Sequence, residues 1–237
     1  MESPVLLYHK IDRPSADVKI RGAYTTPRRF QRQMSYLKRS GYHFVTASKL
    51  VERYVNEGKF PERTVCVTFD DGWKDNYLNA YPILKELRIP ATIFIVAGCV
   101  GKTSAQVTAE GEGPREHMSA DDLREMSKGG IEFGSHSMNH QLMDRIDESE
   151  IDHEVTGSKS LLEELLQTEC PVFAYPAGFH TAYARDAVKR AGYLGGFTTV
   201  YGSNDSPDAF AINRTEILRR HGLPFRFPRR IKSIFQR

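Results

Sequence analysis

The sequence predicts an α/β protein of one domain, with a mostly parallel sheet curled into a barrel rather than laid out as an open sheet. Short apolar runs alternate with stretches of helical periodicity along all 237 residues, and no internal repeat interrupts them. About seven or eight such units in one chain suit a barrel. A chain of this length buries roughly 70–75% of its extended surface, enough for a full core and a cleft.

The elements follow in order. "PVLLYH" is the first strand and ends on His9. In "TTPRRFQRQMSYLKRSGY" Phe30, Met34 and Leu37 recur at helical spacing, with Pro27 suited to the first turn and Gly41 to the end. "TASKLVERYVNEGKF" is a second short helix, and "VCVTF" is a strand running into Asp70 and Asp71. "NYLNAYPILKELRI" carries one stripe of Tyr77, Tyr81, Leu84 and Leu87, and "PATIFIV" is a buried strand. "GCVGKTSAQVTAEGEGPREHM" lacks periodicity and reads as a long loop or flap. "SADDLREMSKGG" is a helix with Ser119 at its cap, and "IEFGSH" is a strand broken by glycine. "ESEIDHEVTGSKSLLEELL" is a long helix, "PVFAYP" a strand, "TAYARDAVKRAGY" a helix, "LGGFTTV" a strand and "FAINRTEI" the last strand.

Composition narrows the function classes. With 40% hydrophobic and 27% charged residues and a mean hydropathy of −0.48, the chain has the character of a soluble globular protein. "ATIFIVAGCV" is too short to cross a bilayer, and "MESPVLLYHKI" has neither the basic nor the long apolar region of a signal peptide. The expected location is cytoplasmic, or extracytoplasmic if a leader precedes this chain. Cys66, Cys99 and Cys170 are widely spaced, which argues against a disulfide framework or a thiolate zinc knuckle. Residues 219–237 hold seven Arg and Lys and no acid, so the net charge of +3 less seven leaves −4 on the other 218 residues. That split argues against nucleic acid as a partner of the body. In the basic tail Phe225, Phe227, Ile231, Ile234 and Phe235 interleave with arginines, a pattern suited to an anionic membrane surface, a solvated end or a packed partner. The expected division is a barrel over 1–218 and a basic tail over 219–237.

Chemistry in a parallel α/β protein gathers at the C-terminal ends of its strands. His9, Asp70-Asp71, "SHSMNH" and "YPAG" all stand at such ends. His136 and His140 are four apart, so one helical turn would put both imidazoles on one face. Two neutral imidazoles and one carboxylate make a three-ligand site for a divalent cation, with room left for water. Asp70 or Asp71 can supply that carboxylate, leaving the other as a base. Taken singly, a "DDG" is more often a turn and a histidine pair more often surface or core. The three strand-end motifs together point to a metal site.

These motifs resemble those of the polysaccharide deacetylase family, which shares the NodB homology domain. "TFDDGW" looks like its first motif and "HSMNH" its second, His-Ser/Thr-x-x-His. "FAYPAG" looks like its third, in the form found in enzymes acting on poly-N-acetylglucosamine. "LLYHKI", "FQRQMSYLKRSGYHFVT" and "RDAVKRAGYLGGFTT" resemble the same subgroup, so the likeness runs to about residue 218. The resemblance implies a distorted (β/α)7 barrel and hydrolysis of an N-acetyl amide on an amino sugar or oligosaccharide; attachment of the basic tail to a membrane surface would favour a lipid-linked sugar. It implies Asp71, His136 and His140 as metal ligands, zinc first, with cobalt, manganese or iron as alternatives. Asp70 would be the base and His9 the acid, and a backbone N–H near Ala177 would face the oxyanion. Trp73, Tyr175, Phe179 and Tyr8 are candidate sugar-facing aromatics, and His180 is an outside candidate for the acid or for substrate contact. Two departures stand out. Ala174 occupies the place where many members have an arginine that holds the base, and Ala177 the place that is often tyrosine. The alternatives are a hydrolase of another carbon–nitrogen bond, such as a ring amide, and a non-catalytic carbohydrate-binding protein.

Overall fold

A computed structural model describes residues 4–16, 18, 21–104, 113–202, 204, 208–222 and 226–234. The apolar runs form strands β1 (Val5–Tyr8), β2 (His43–Val45), β3 (Thr64–Phe69) and β4 (Ala91–Ile95). They continue with β5 (Thr103–Ser104), β6 (Arg115–Glu116), β7 (Ile131–Ser135), β8 (Val172–Ala174), β9 (Gly195–Phe197) and β10 (Thr215–Glu216). The helices are α1 (Pro27–Arg39), α2 (Ala47–Glu57), α3 (Tyr81–Leu87), α4 (Ala120–Lys128), α5 (Glu148–Asp152), α6 (Ser158–Leu166), α7 (Ala182–Arg190) and α8 (Arg226–Ile234).

The main sheet runs β10-β1-β3-β4-β7-β8-β9, with β2 beside β3, and every pairing in it is parallel. Helices flank the curled sheet, so its strands are buried on both faces and read as continuous apolar runs. The segment before β10 joins the two ends: Ile212 pairs with Phe197 of β9, and Thr215 three residues later pairs with Leu6 of β1. This is a distorted (β/α)7 barrel. Gly134 explains the glycine in "IEFGSH": a Cβ there would lie 2.6 Å from the Phe94 ring and 2.8 Å from the Val172 carbonyl oxygen.

Helix starts are fixed by different means. Ser119 closes a capping box on α4, its hydroxyl accepting from the Asp122 amide while the Asp122 carboxylate accepts from the Ser119 amide. Thr46 does not cap α2. Glu132 of β7 accepts from the Ser48 amide, and Thr92 of β4 accepts from the Ala47 amide at 2.8 Å, so the sheet itself caps that helix.

Three expectations change. The helix over Asn76–Leu87 opens with a π turn at Asn76–Ala80, and the long helix carries another at His153–Gly157. The non-periodic stretch holds a short antiparallel pair, β5 with β6, on the two sides of residues 105–112, which lie outside the described residues. The basic segment is not a solvated end. Phe227 and Ile231 of α8 are buried in the main core, and the Phe227 ring meets Tyr36 edge-on at 6.1 Å. Spaced four apart on one helix face, they give their apolar surface to the barrel. Phe225 and Phe235 lie outside the described residues. No described helix is long and apolar enough to cross a membrane.

Candidate metal centre and active site

The strand ends converge on a cleft of about 310 Å3 lined by His9, Lys10, Gly22, Ala23, Asp70, Asp71, Trp73, His136, His140, Ala177, Thr199, Glu216 and Leu218. Asp70 follows β3 directly, its amide still bonded to the Tyr8 carbonyl. The chain then turns through two left-handed residues, Asp71 at φ 73° and Gly72 at φ 72°. A left-handed aspartate costs roughly 1–2 kcal/mol. The turn separates the two carboxylates. Asp70 points back into the barrel, and Asp71 faces the histidines.

Asp71 Oδ1 lies 3.7 Å from His136 Nε2 and 3.6 Å from His140 Nε2. Donor atoms of all three residues lie within 4.8 Å of one another. Two donors each ~2.1 Å from a shared ion at a tetrahedral angle would sit ~3.4 Å apart, so the spacing fits a cation. The lone pairs fit too. His136 Nδ1 donates to the Ala174 carbonyl at 2.8 Å, which leaves Nε2 without a proton in the neutral ring. Burial pushes the His136 imidazole down to about 4, against the pull of Asp70, so the ring is neutral near pH 7. Burial alone would raise Asp71, but His9, His140, His136 and the Trp73 indole N–H together hold it well below the usual carboxylate range.

The histidine pair reaches this geometry differently from the expected helical turn. Residues 136–140 form a loop in which Ser137 (φ 66°) and His140 (φ 59°) are left-handed. The Ser137 hydroxyl accepts from the His140 amide. Buried Glu154, from the π turn before α6, accepts from both the backbone and the side-chain amide of Asn139 at 2.8 Å. The rings end 4.9 Å apart at 70°. A helix would have placed them on one face, but the clamp from Glu154 replaces it.

Asp70 has the partner that sequence reading missed. Arg214 is 0% exposed and grips Asp70 with both arms, Nη1 to Oδ1 and Nη2 to Oδ2, each at 2.7 Å. Its Nε donates to the Thr198 carbonyl at 2.7 Å and Nη1 also reaches the Thr68 hydroxyl at 3.3 Å. The arginine that Ala174 does not provide therefore arrives from the segment that closes the barrel. Burial alone would raise Asp70, but Arg214 and His136 bring it below the ordinary carboxylate value. Asp70 Oδ2 stands 3.8 Å from His136 Nε2, so the free acid borders the donor set. An arginine lying between the apolar Ile212 and Ile217 of the expected last strand "FAINRTEI" was the available signal.

The other expected residues divide. His9 lines the cleft, its Nδ1 3.7 Å from Glu216 Oε1. Ala177, left-handed at φ 52°, is exposed at the cleft, and the Thr199 hydroxyl donates to its carbonyl. Trp73 is only 1% exposed: its indole N–H donates to Asp71 Oδ2 at 2.8 Å and its ring stacks on His117 at 4.2 Å. It supports a ligand and has little face left for a sugar. Tyr175 is wholly buried with its hydroxyl on the Phe210 carbonyl, and Tyr8 is buried with its hydroxyl on Gln33, so neither faces the cleft. Phe179 is 52% exposed, outside the cleft lining. His180 stacks on Tyr175 at 4.6 Å and does not line the cleft. Lys10, a buried residue in the cleft lining with its ammonium 5.2 Å from the Trp73 ring, was not anticipated.

The polysaccharide deacetylase family matches residues 57–196, more than half of the chain. The poly-beta-1,6-N-acetyl-D-glucosamine N-deacetylase of Staphylococcus aureus is 31% identical over 193 residues, covering 78% of this chain and 64% of the staphylococcal enzyme. Among solved structures, the Streptococcus pyogenes deacetylase PplD in complex with acetate superposes with a TM-score of 0.82 at 26% identity, covering 97% of each chain. IcaB from Ammonifex degensii gives a TM-score of 0.81 at 24% identity over 100% of this chain and 97% of its own, a likeness of fold.

Proposed function

The chain belongs to the polysaccharide deacetylase family, with that family's metal-dependent hydrolysis of N-acetylated amino sugars, and we propose a division of labour within it: Asp71, His136 and His140 hold one divalent cation, Asp70 is the general base and His9 the general acid. The observation that supports this most is the different fate of two neighbouring carboxylates, one locked by Arg214 and the other facing two imidazoles. Nitrogen and oxygen donors suit zinc first, with cobalt, manganese and iron sharing the same preferences. A cation bound there supplies Lewis-acid polarisation of the acetyl carbonyl and a water acidified toward neutral pH.

The chain's own groups do the rest. Arg214 occupies both Asp70 oxygens from inside the barrel, which keeps the carboxylate ionised and immobile while its remaining lone pairs take a proton from the attacking water. His9, in the same cleft and 3.7 Å from Glu216, hands a proton to the amide nitrogen as the carbon–nitrogen bond breaks. Ala177 offers its backbone N–H to the carbonyl oxygen as negative charge develops, a contribution of roughly 3 kcal/mol for one well-placed donor. The products are acetate and a free amine. Acetate is the ligand of the streptococcal relative.

The test is acetate release by zinc-loaded protein from tetra-N-acetylchitotetraose, poly-N-acetylglucosamine and small cyclic amides, with metal content measured by mass spectrometry. Asp70→Asn should keep the ion and lose roughly 10²–10⁴-fold in rate, and His140→Ala should lose the ion. A near-normal rate in Asp70→Asn would remove it as base. Cyclic amides as the better substrates would reassign the reaction.

A further inference from the structure

A second groove, of about 460 Å3, opens beside the catalytic cleft and shares two lining residues with it, Gly22 and Leu218. The rest of its lining is Arg21, Arg29, Arg219, Arg220 and Arg226, and no carboxylate lines it among the described residues. The groove is framed by backbone. The Arg219 amide donates to the Gly22 carbonyl at 2.9 Å, tying the chain after β1 to the chain after β10. Arg21 is steadied by the Val18 and Ala16 carbonyls at 2.9 and 2.7 Å. Arg29 reaches the Arg219 carbonyl at 3.4 Å. These partners are neutral, so they orient the guanidinium groups without cancelling their charge.

Five like charges around one groove repel one another, and a bound anion relieves that repulsion. The planar fork of a guanidinium matches the oxygens of phosphate in pairs. Five of them exceed what a single carboxylate would neutralise, which favours a phosphoryl group of higher charge. The shared residues set the geometry. A sugar with its acetamido group among Asp70, Asp71 and His9 would extend past Leu218 and Gly22 into the arginines. We propose that this groove binds a phosphate or diphosphate carried by the same amino sugar whose acetyl group enters the cleft. The proposal rests on the deacetylase reading for the acetyl end only.

The test compares three substrates: neutral tetra-N-acetylchitotetraose, UDP-N-acetylglucosamine and farnesyl-diphospho-N-acetylglucosamine in detergent micelles. Binding to metal-free protein is measured by calorimetry, and acetate release by the zinc-loaded protein. Both diphosphates should bind at least tenfold tighter than tetra-N-acetylchitotetraose, with an advantage that shrinks as salt rises. The better of the two identifies a lipid-linked or a nucleotide-linked source. In the double variant Arg219→Gln/Arg226→Gln, both exposed positions, the preference for diphosphate should fall at least tenfold, while Arg39→Gln on the far end of α1 leaves it intact. Circular dichroism shows whether the double variant is folded. Diphosphate binding with no acetate release from any of the three substrates would uphold the groove and sink the deacetylase reading, whereas acetate release from the neutral oligosaccharide alone would overturn the proposal. Equal binding of neutral and phosphorylated sugars, or an unchanged preference in the double variant, would overturn the groove. Tighter variant-sensitive binding of a single-stranded RNA oligomer, or of phosphatidylglycerol vesicles, than of either sugar diphosphate would overturn it as well.

Discussion

Arg214→Met tests the electrostatic design of the site most directly. The wild-type pair is fully desolvated, with two 2.7 Å contacts and side chains 0% and 2% exposed. Methionine fills much of the volume but leaves Asp70 as a buried carboxylate with no counter-charge from the barrel. Breaking one side of such a pair costs about 3–5 kcal/mol. The cost has two readouts. Burial, no longer opposed by Arg214, should raise the Asp70 pKa, so the acid limb of the kcat/KM profile moves to higher pH. Each unit is about 1.4 kcal/mol of lost preference for the ionised form, or tenfold less base at pH values below the new midpoint. The second readout is folding. In urea titrations the double variant Arg214→Met/Asp70→Asn should recover a large share of the stability lost by Arg214→Met, because the stranded charge is gone. The assay is a pH series of acetate release from a neutral chitooligosaccharide, run beside the denaturation of the wild type, the two single variants and the double variant. An acid limb that stays in place, or a double variant as unstable as the sum of its singles, would refute the reasoning.

Two further outcomes follow from the geometry. Trp73→Phe keeps the ring stacked on His117 but removes the indole N–H from Asp71 Oδ2, so zinc affinity in competition with a chelator should fall about 10–100-fold; unchanged affinity would make the contact incidental. Phe227→Ala removes a ring that is 3% exposed against Tyr36, so urea denaturation should show a loss of about 3 kcal/mol; a loss within about 0.5 kcal/mol would return α8 to the status of a detachable surface segment.

Periodicity and composition by themselves determined the α/β class, the parallel sheet and the order of nearly every element, because strands buried on both faces must be apolar and helices on them must be striped. The residue types of the donor set were also legible, since a carboxylate after an apolar strand and histidines four apart are local patterns. Only the tertiary structure decided how they are used. The left-handed turn at Asp71 and the clamp of Glu154 on Asn139 set the directions of the side chains, and nothing in the local sequence encodes a contact 15 residues away. Arg214 meets Asp70 across 144 residues, a pairing that exists because the segment from Ile212 to Thr215 closes the barrel. The aromatics show the same limit in reverse: Trp73 and Tyr175 lie beside the right motifs, yet folding turns one onto a ligand and the other into the core. Sequence patterns report which surface a residue can bury. Which partner it meets depends on the path of the whole chain through space.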